Sequence, residues 1–185
     1  MKSSVLRFAM LGIALLLITP GCKDYETPRS RVLVTRVADS KTEEKFDDYY
    51  LTSDVIGDDS SIYEDAIFVT FENQPRSGFL SIDPTGPYGA VILTSYRVAY
   101  NIPGEHIEPL IGSMSLTIPS GETAMANIVV VTAQAKLEPP LSTLRTGELE
   151  MLSRCMITFY GHEDVSNQGI VVELPFQINF ANWAG

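Results

Sequence analysis

The residues best suited to chemistry in this chain are the carboxylates that crowd the stretch from Asp39 to Asp65. Ten of the 23 acidic residues lie there, and calcium binds about six to eight oxygen ligands of this kind. The candidate calcium site consists of Asp54, Asp58, Asp59 and Asp65. Their spacing matches no defined calcium loop, because the Asp-x-Asp-x-Asp-Gly pattern of an EF-hand is missing. A solvated acidic loop that keeps the domain soluble is the alternative.

The other reactive side chains form no catalytic pattern. Glu163, Asp164 and Asn167 make a small oxygen cluster, but Asp and Asn side chains also cap their own turns. His106 and His162 are far apart, whereas zinc needs three or four closely placed ligands. The chain has no Gly-x-Ser-x-Gly elbow and no His-Glu-x-x-His helix. We therefore expect no catalytic residues and no enzymatic activity.

The net charge of −10 excludes one class of partner. Nucleic-acid phosphates would be repelled by so acidic a chain, so we expect no nucleic-acid binding. Cys155 is a further candidate for chemistry, as a reactive thiol. It alternates with Ile157 and Phe159, however, and this spacing predicts that it faces the core as a small hydrophobic side chain.

The N-terminus predicts export. Lys2 and Arg7 precede the apolar run Phe8–Thr19, and Pro20 then ends it. The run is shorter than the roughly 20 residues that a transmembrane helix needs. Thr19-Pro20-Gly21-Cys22 resembles the lipobox of bacterial lipoproteins, Leu-(small)-(Gly/Ala)-Cys, at its last two positions. An ordinary secretory signal, with the cysteine there by chance, is the alternative.

The lipoprotein resemblance implies how the chain is processed and where it resides. It implies a signal peptide of residues 1–21 and an acylated Cys22, which would join the protein to the membrane through lipid. Loss of two of the 13 basic residues would lower the net charge to −12. Lys23 follows the cysteine, where an Asp would imply inner-membrane retention, so we expect the outer membrane of a bacterial cell envelope. Residues 22–30 would be the lipidated cysteine and its tether, about 27 Å long when stretched, and residues 31–185 the domain.

Period-two alternation of apolar residues predicts β-structure almost throughout the domain. The segments that show it are Val32–Val37, Tyr50–Ile56, Ala66–Glu72, Gly89–Ile102, Ser113–Ile118, Ala126–Leu137, Glu150–Tyr160 and Gly169–Phe180. Within the fourth segment, Ile92, Tyr96, Val98 and Tyr100 are predicted to share the core face. About eight strands with one apolar face each predict an all-β, antiparallel β-sandwich. Pro175 cannot donate a ladder hydrogen bond, so we expect an edge or a bulge there.

Two segments carry a resemblance to known sandwich families. Thr94-Ser95-Tyr96-Arg97-Val98-Ala99-Tyr100 is similar to the middle strand of fibronectin type III modules. The turn from Gly161 to Gly169 resembles the penultimate hairpin of bacterial Ig-like domains. The chain thus resembles an uncharacterised envelope lipoprotein with one Ig-like domain, which implies a fold and a location but no activity.

Aromatic residues near the turns add a last functional lead, because exposed Tyr often contacts proteins or sugars. They are Tyr49, Tyr50, Tyr63, Phe79 and Tyr88. Covering the ends of the sandwich is the alternative. We expect a membrane-anchored, non-enzymatic binding or structural module with a protein or glycan partner in the envelope. The alternative is a calcium-dependent adhesion or carbohydrate-binding domain.

Overall fold

The computed structural model describes residues 28–39, 49–57, 60–76, 89–146 and 149–183. It contains eight strands: β1 (Ser30–Asp39), β2 (Tyr50–Asp54), β3 (Asp65–Pro75), β4 (Val91–Asn101), β5 (Leu110–Ile118), β6 (Thr123–Val131), β7 (Met151–Glu163) and β8 (Gly169–Ala181). One short α-helix, α1 (Ala133–Leu137), and one 3₁₀ helix (Leu141–Thr146) lie between β6 and β7. The predicted all-β fold is confirmed.

The strands form two sheets. One has three strands in the order β1-β3-β6, and the other has five in the order β2-β8-β7-β4-β5. All neighbouring strands are antiparallel except β2 and β8, which are parallel from the pair Tyr50 and Gln177 to the pair Asp54 and Ala181. The purely antiparallel arrangement was therefore wrong for this pair. Alternation of apolar residues shows which face of a strand is buried, but it contains no information about strand direction.

The core lies between the two sheets and is built from the alternating apolar residues. β8 follows the predicted pattern closely, because its buried residues include Val172, Leu174, Phe176, Ile178 and Phe180. Cys155, Ile157 and Phe159 of β7 are also buried, as predicted. The rings of Phe71 in β3 and Phe159 in β7 meet edge to face with centroids 4.9 Å apart, so an aromatic pair joins the two sheets.

The strand predicted for Ala126–Leu137 ends six residues early, at Val131. Thr132 caps α1, because its Oγ1 accepts a hydrogen bond from the N–H of Ala135 at 3.1 Å. The sequence that follows Thr132 alternates Ala and Leu with polar residues, which imitates a strand, but Ala, Gln, Lys and Leu also favour helices. The local pattern is compatible with a strand and with a helix, and the Thr132 cap favours the helix.

The predicted core face of β4 is correct in its second half and wrong in its first. Val91 and Leu93 are buried, whereas Ile92 is only partly buried. A β-bulge between Leu93 and Ser95 shifts the register by one residue, after which Tyr96 and Val98 face the core as predicted. A bulge adds one residue to a strand and so exchanges its two faces at that point.

Two tyrosine hydroxyls of β4 bind the backbone of β6 in the opposite sheet. The hydroxyl of Tyr96 donates to the carbonyl of Val129 at 3.0 Å and accepts from its N–H at 3.1 Å. The hydroxyl of Tyr100 donates to the carbonyl of Val130 at 2.6 Å. Burial raises the pKa of both phenols. These bonds hold the sheets together on the side where β5 and β6 meet.

Candidate functional site

The candidate functional site is a groove of about 950 Å³ on the opposite side of the sandwich, which we call the β1/β8 groove. Among the described residues, β1 is the outer strand of the three-stranded sheet, and the first half of β8 has no strand on its outer side because β2 pairs with it only from Gln177. The lining residues are Pro28, Ser30–Val34, Gln74–Arg76 and Gly169–Glu173. Two open strand edges therefore face one groove.

The register of β1 shows which of its backbone groups face the groove. The N–H of Arg76 donates to the carbonyl of Arg29 at 2.8 Å, which makes these two residues a hydrogen-bonded pair. Such pairs alternate along an antiparallel ladder, so Arg31 and Leu33 also bond to β3. The N–H and C=O groups of Val32 and Val34 must then point away from β3, toward the groove.

The open backbone groups of β8 follow from the same alternation of hydrogen-bonded pairs. The N–H of Glu163 donates to the carbonyl of Gln168 at 2.9 Å, and the alternation from there directs the backbone of Val171 and Glu173 away from β7. Pro175 has the same orientation as Val171 and Glu173, so the position of its missing N–H also lies on the edge away from β7. The sequence-based expectation of an edge at Pro175 is thereby explained, since proline costs no ladder bond there.

Charged side chains lie along the margin of the groove. Ile170 and Val172 are buried, whereas the side chain of Val171 is 61% exposed. Arg31 and Arg76 are exposed, and within the described part of the chain neither guanidinium forms an ion pair or a hydrogen bond. Glu173 is the one acidic residue among those that line the groove. Two arginines against one carboxylate make a locally basic margin on an acidic protein.

A buried carboxylate fixes the end of the groove where β1 begins. Glu163 is only 1% exposed, and its Oε1 accepts hydrogen bonds from the N–H and the Oγ of Ser30 at 2.8 and 2.6 Å. The hydroxyl of Ser166 donates to the other oxygen of Glu163. Ser30, predicted to belong to the tether, is instead buried within β1. Asn167 forms part of the adjoining turn at φ 55°, while Asp164 is exposed.

The candidate calcium ligands are placed only in part. Asp58, Asp59 and the lipidation residue Cys22 lie outside the described residues. The Oδ2 of Asp65 is 2.9 Å from the Nζ of Lys136 and accepts a hydrogen bond from the Oγ of Ser53 at 2.6 Å. The side chain of Lys136 is 1% exposed. The ammonium of Lys136 therefore occupies the position beside Asp65 that a bound metal ion would need.

The other described candidate, Asp54, is engaged with the backbone. Its Oδ1 accepts hydrogen bonds from the N–H groups of Ile56 and Trp183, each at 3.3 Å, and its carbonyl accepts from the Nζ of Lys136 at 2.7 Å. Within the described ranges, no three His, Cys, Asp or Glu side chains gather closely enough to hold a metal ion. Calcium binding stays a prediction, because half of its proposed ligands are not described.

The remaining candidates are dispersed. Cys155 is buried, and desolvation raises the pKa of its thiol to about 11 although a contact with Ser153 at 3.3 Å opposes the shift. The imidazole of His106 is exposed and lies 3.1 Å from Glu108. Tyr49 and Cys155 are among the residues that line a second cavity of about 520 Å³. Tyr50 and Tyr63 are exposed, and Phe79 and Tyr88 lie outside the described residues.

Comparison with known proteins identifies no family for this chain. No protein-family model and no curated protein matches it. It is similar to the solution structure of a protein described as a late embryogenesis abundant (LEA) protein, at 12% identity and a TM-score of 0.42, over 97% of this chain and 90% of that chain. A structural genomics target, SoR45, is 11% identical with a TM-score of 0.37, over 81% of this chain and 86% of that one. Neither likeness carries a conclusion about function.

The β1/β8 groove was not predicted from the sequence, although Pro175 indicated an edge or a bulge in β8. None of the helices in the described part of the chain has the length and hydrophobicity to span a membrane.

Proposed function

We propose that this protein is a lipid-anchored module of a bacterial cell envelope that binds or organises another envelope component without catalysing a reaction. Its anchor is the lipobox-like sequence that ends at Cys22. Five residues separate Cys22 from Pro28, so the β1/β8 groove begins within about 20 Å of the acyl chains. The groove itself, with two open strand edges, is the observation that carries a binding role.

The topology supports an Ig-like architecture for the module. In immunoglobulin domains, strands A, B and E belong to one sheet and strands C, F and G to the other. The sheet β1-β3-β6 corresponds to the first group, and β4, β7 and β8 correspond to the second. The short parallel β2 and the added β5 extend the larger sheet on both sides. Such a fold presents its edges and loops for binding, and it implies no particular partner.

The anchor is tested by Cys22→Ser, with Cys155→Ser as the matched control. Cys22→Ser should abolish acylation, change the mature mass and move the protein from the membrane pellet to the soluble fraction. Cys155→Ser also removes one thiol but should leave fractionation unchanged, because Cys155 is buried in β7. Unchanged mass and fractionation of the Cys22→Ser protein would overturn the proposal.

The expected outer-membrane location has its own test. Lys23 follows the acylated cysteine, and Lys23→Asp should move the protein to the inner-membrane band of a density gradient if the host follows the enteric type of sorting. Lys23→Glu keeps the charge change but lacks the Asp, and it should leave the protein in the outer-membrane band.

A further inference from the structure

We propose that the β1/β8 groove binds an extended peptide segment of another protein, in which apolar and acidic residues alternate, and that this segment adds to β1 as a fourth strand. The inference rests on the proposed binding function and names the class of partner. It follows from the open backbone of β1, from the apolar residues among those that line the groove and from the charge of its margin.

Over one short stretch, the outer backbone groups of β1 pair with no other strand that the structure describes. Val32 and Val34 direct two N–H and two C=O groups into the groove, and an added strand would satisfy them. Natural proteins commonly protect such edges with bulges or prolines. Here a bulge between Val34 and Arg36 ends the regular pairing edge of β1, and Pro175 prevents strand pairing at its own position in β8. Neither feature protects the backbone of Val32 and Val34.

The surroundings specify what each side of the added strand would contact. At Gly169–Glu173, β8 has no neighbouring strand on its outer side in the described part of the chain, so a fourth strand beside β1 would lie at the open side of the sandwich, next to the edge of β8. Its inward side chains would meet Val32, Ile170 and Val172, which favours apolar residues at alternate positions. Its outward side chains would lie next to Arg31, which favours carboxylates at the positions between.

The net charge argues against a second copy of this chain as the occupant. Two chains paired through their β1 edges would each carry a net charge of −10, and these charges would repel each other. A separate acidic segment instead neutralises Arg31 and Arg76.

The probe is a fluorescent eight-residue peptide in which Val and Glu alternate, titrated against the intact protein in a mild detergent. Anisotropy should rise to saturation. A peptide in which Lys replaces each Glu should bind at least tenfold more weakly. Methylation of alternate peptide nitrogens on the β1 side should abolish binding, because it removes the ladder donors without changing the side chains.

Two protein variants separate the local charge of the groove from the total charge of the protein. Arg31→Glu should weaken binding of the Val/Glu peptide about three- to tenfold, as expected when an exposed ion pair is turned into a repulsion. Arg97→Glu changes the net charge equally, but Arg97 lies on β4 outside the groove, so it should leave binding unchanged. Equal effects of the two variants would overturn the assignment of the peptide to the groove.

Amide hydrogen exchange locates the pairing. Peptide binding should slow exchange at Val32 and Val34 and leave Arg31 and Leu33 unchanged, because the latter two already bond to β3. Protection of Val32 and Val34 without peptide, through dimerisation seen by sedimentation or through another part of the chain, would overturn the proposal. So would the absence of saturable binding, whereas the proposed anchor would stand on the Cys22→Ser fractionation alone.

Discussion

The Nζ of Lys136 lies 2.9 Å from the Oδ2 of Asp65, and these residues come from α1 and from the first position of β3. The ammonium also donates to the carbonyl of Asp54 at 2.7 Å. A buried lysine thus ties the short helix to the ends of two strands that belong to different sheets. The carboxylate of Asp65 compensates the charge of this ammonium inside the protein, so that carboxylate is already paired and not free to bind a metal ion.

Removal of Asp65 should destabilise the fold strongly. Asp65→Ala leaves the ammonium of Lys136 buried without its carboxylate, and we expect a loss of about 3 kcal/mol in the free energy of unfolding, measured by urea denaturation. The double variant Asp65→Ala/Lys136→Met should recover most of this loss, because no unpaired charge remains. Asp164→Ala, at an exposed carboxylate, should cost less than about 0.5 kcal/mol. Additive costs in the double variant would show that the ion pair is not coupled.

Gly112 should not tolerate a methyl group. A Cβ at this position would lie 2.2 Å from the Cζ of Tyr96, so Gly112→Ala must displace the ring whose hydroxyl binds Val129. We expect a cost of about 1–3 kcal/mol, as for other overpacked sites. Gly169→Ala is the matched control, because a Cβ there meets nothing within 4 Å. Similar melting temperatures for the two variants would contradict the close approach.

The faces of β8 should differ sharply in their sensitivity. Phe176 is buried and Gln177 is exposed. Phe176→Ala should lower the free energy of unfolding by about 3–5 kcal/mol, whereas Gln177→Ala should change it by less than about 0.5 kcal/mol. Chemical denaturation of both variants measures the difference. Equal costs would mean that the register of β8 is shifted by one residue.

Stability should fall as the pH rises through the titration of Cys155. Its thiol pKa is raised from 9.0 to about 11 in the folded state, so between these values the unfolded chain ionises and the folded chain does not. The free energy of unfolding should decrease by about 2–3 kcal/mol across this window. Cys155→Ala should flatten the decrease, leaving the part due to Tyr96 and Tyr100, whose pKa values are also raised. An unchanged slope in that variant would refute the assignment.

Calcium should stabilise the protein no more than monovalent salt at matched ionic strength. A calcium ion at Asp65 would have to displace the buried ammonium of Lys136, and at Asp54 it would compete with two backbone N–H groups. Thermal melts in calcium, magnesium and sodium chloride test this. A rise seen with calcium alone, about 2.7 kcal/mol at a hundredfold excess over Kd, would instead favour the calcium-dependent alternative.

The sequence alone determined the local burial pattern of most strands. The alternation that ends at Phe180 and the burial of Cys155 depend only on which side chains share a face, and a period of two shows this directly. Pro175 predicted an edge or a bulge because the missing N–H is a property of that residue alone, and the structure has the edge.

Only the tertiary structure decided the features that depend on distant partners. The bulge after Leu93 exchanged the core roles of Ile92 and Leu93, and pairing with two neighbouring strands sets that register. The parallel β2, the contact between Lys136 and Asp65, and the β1/β8 groove join residues that are far apart in the chain. The periodicity of apolar residues within one strand cannot indicate these pairings, because the free energy that stabilises them comes from the packing of separate strands and sheets.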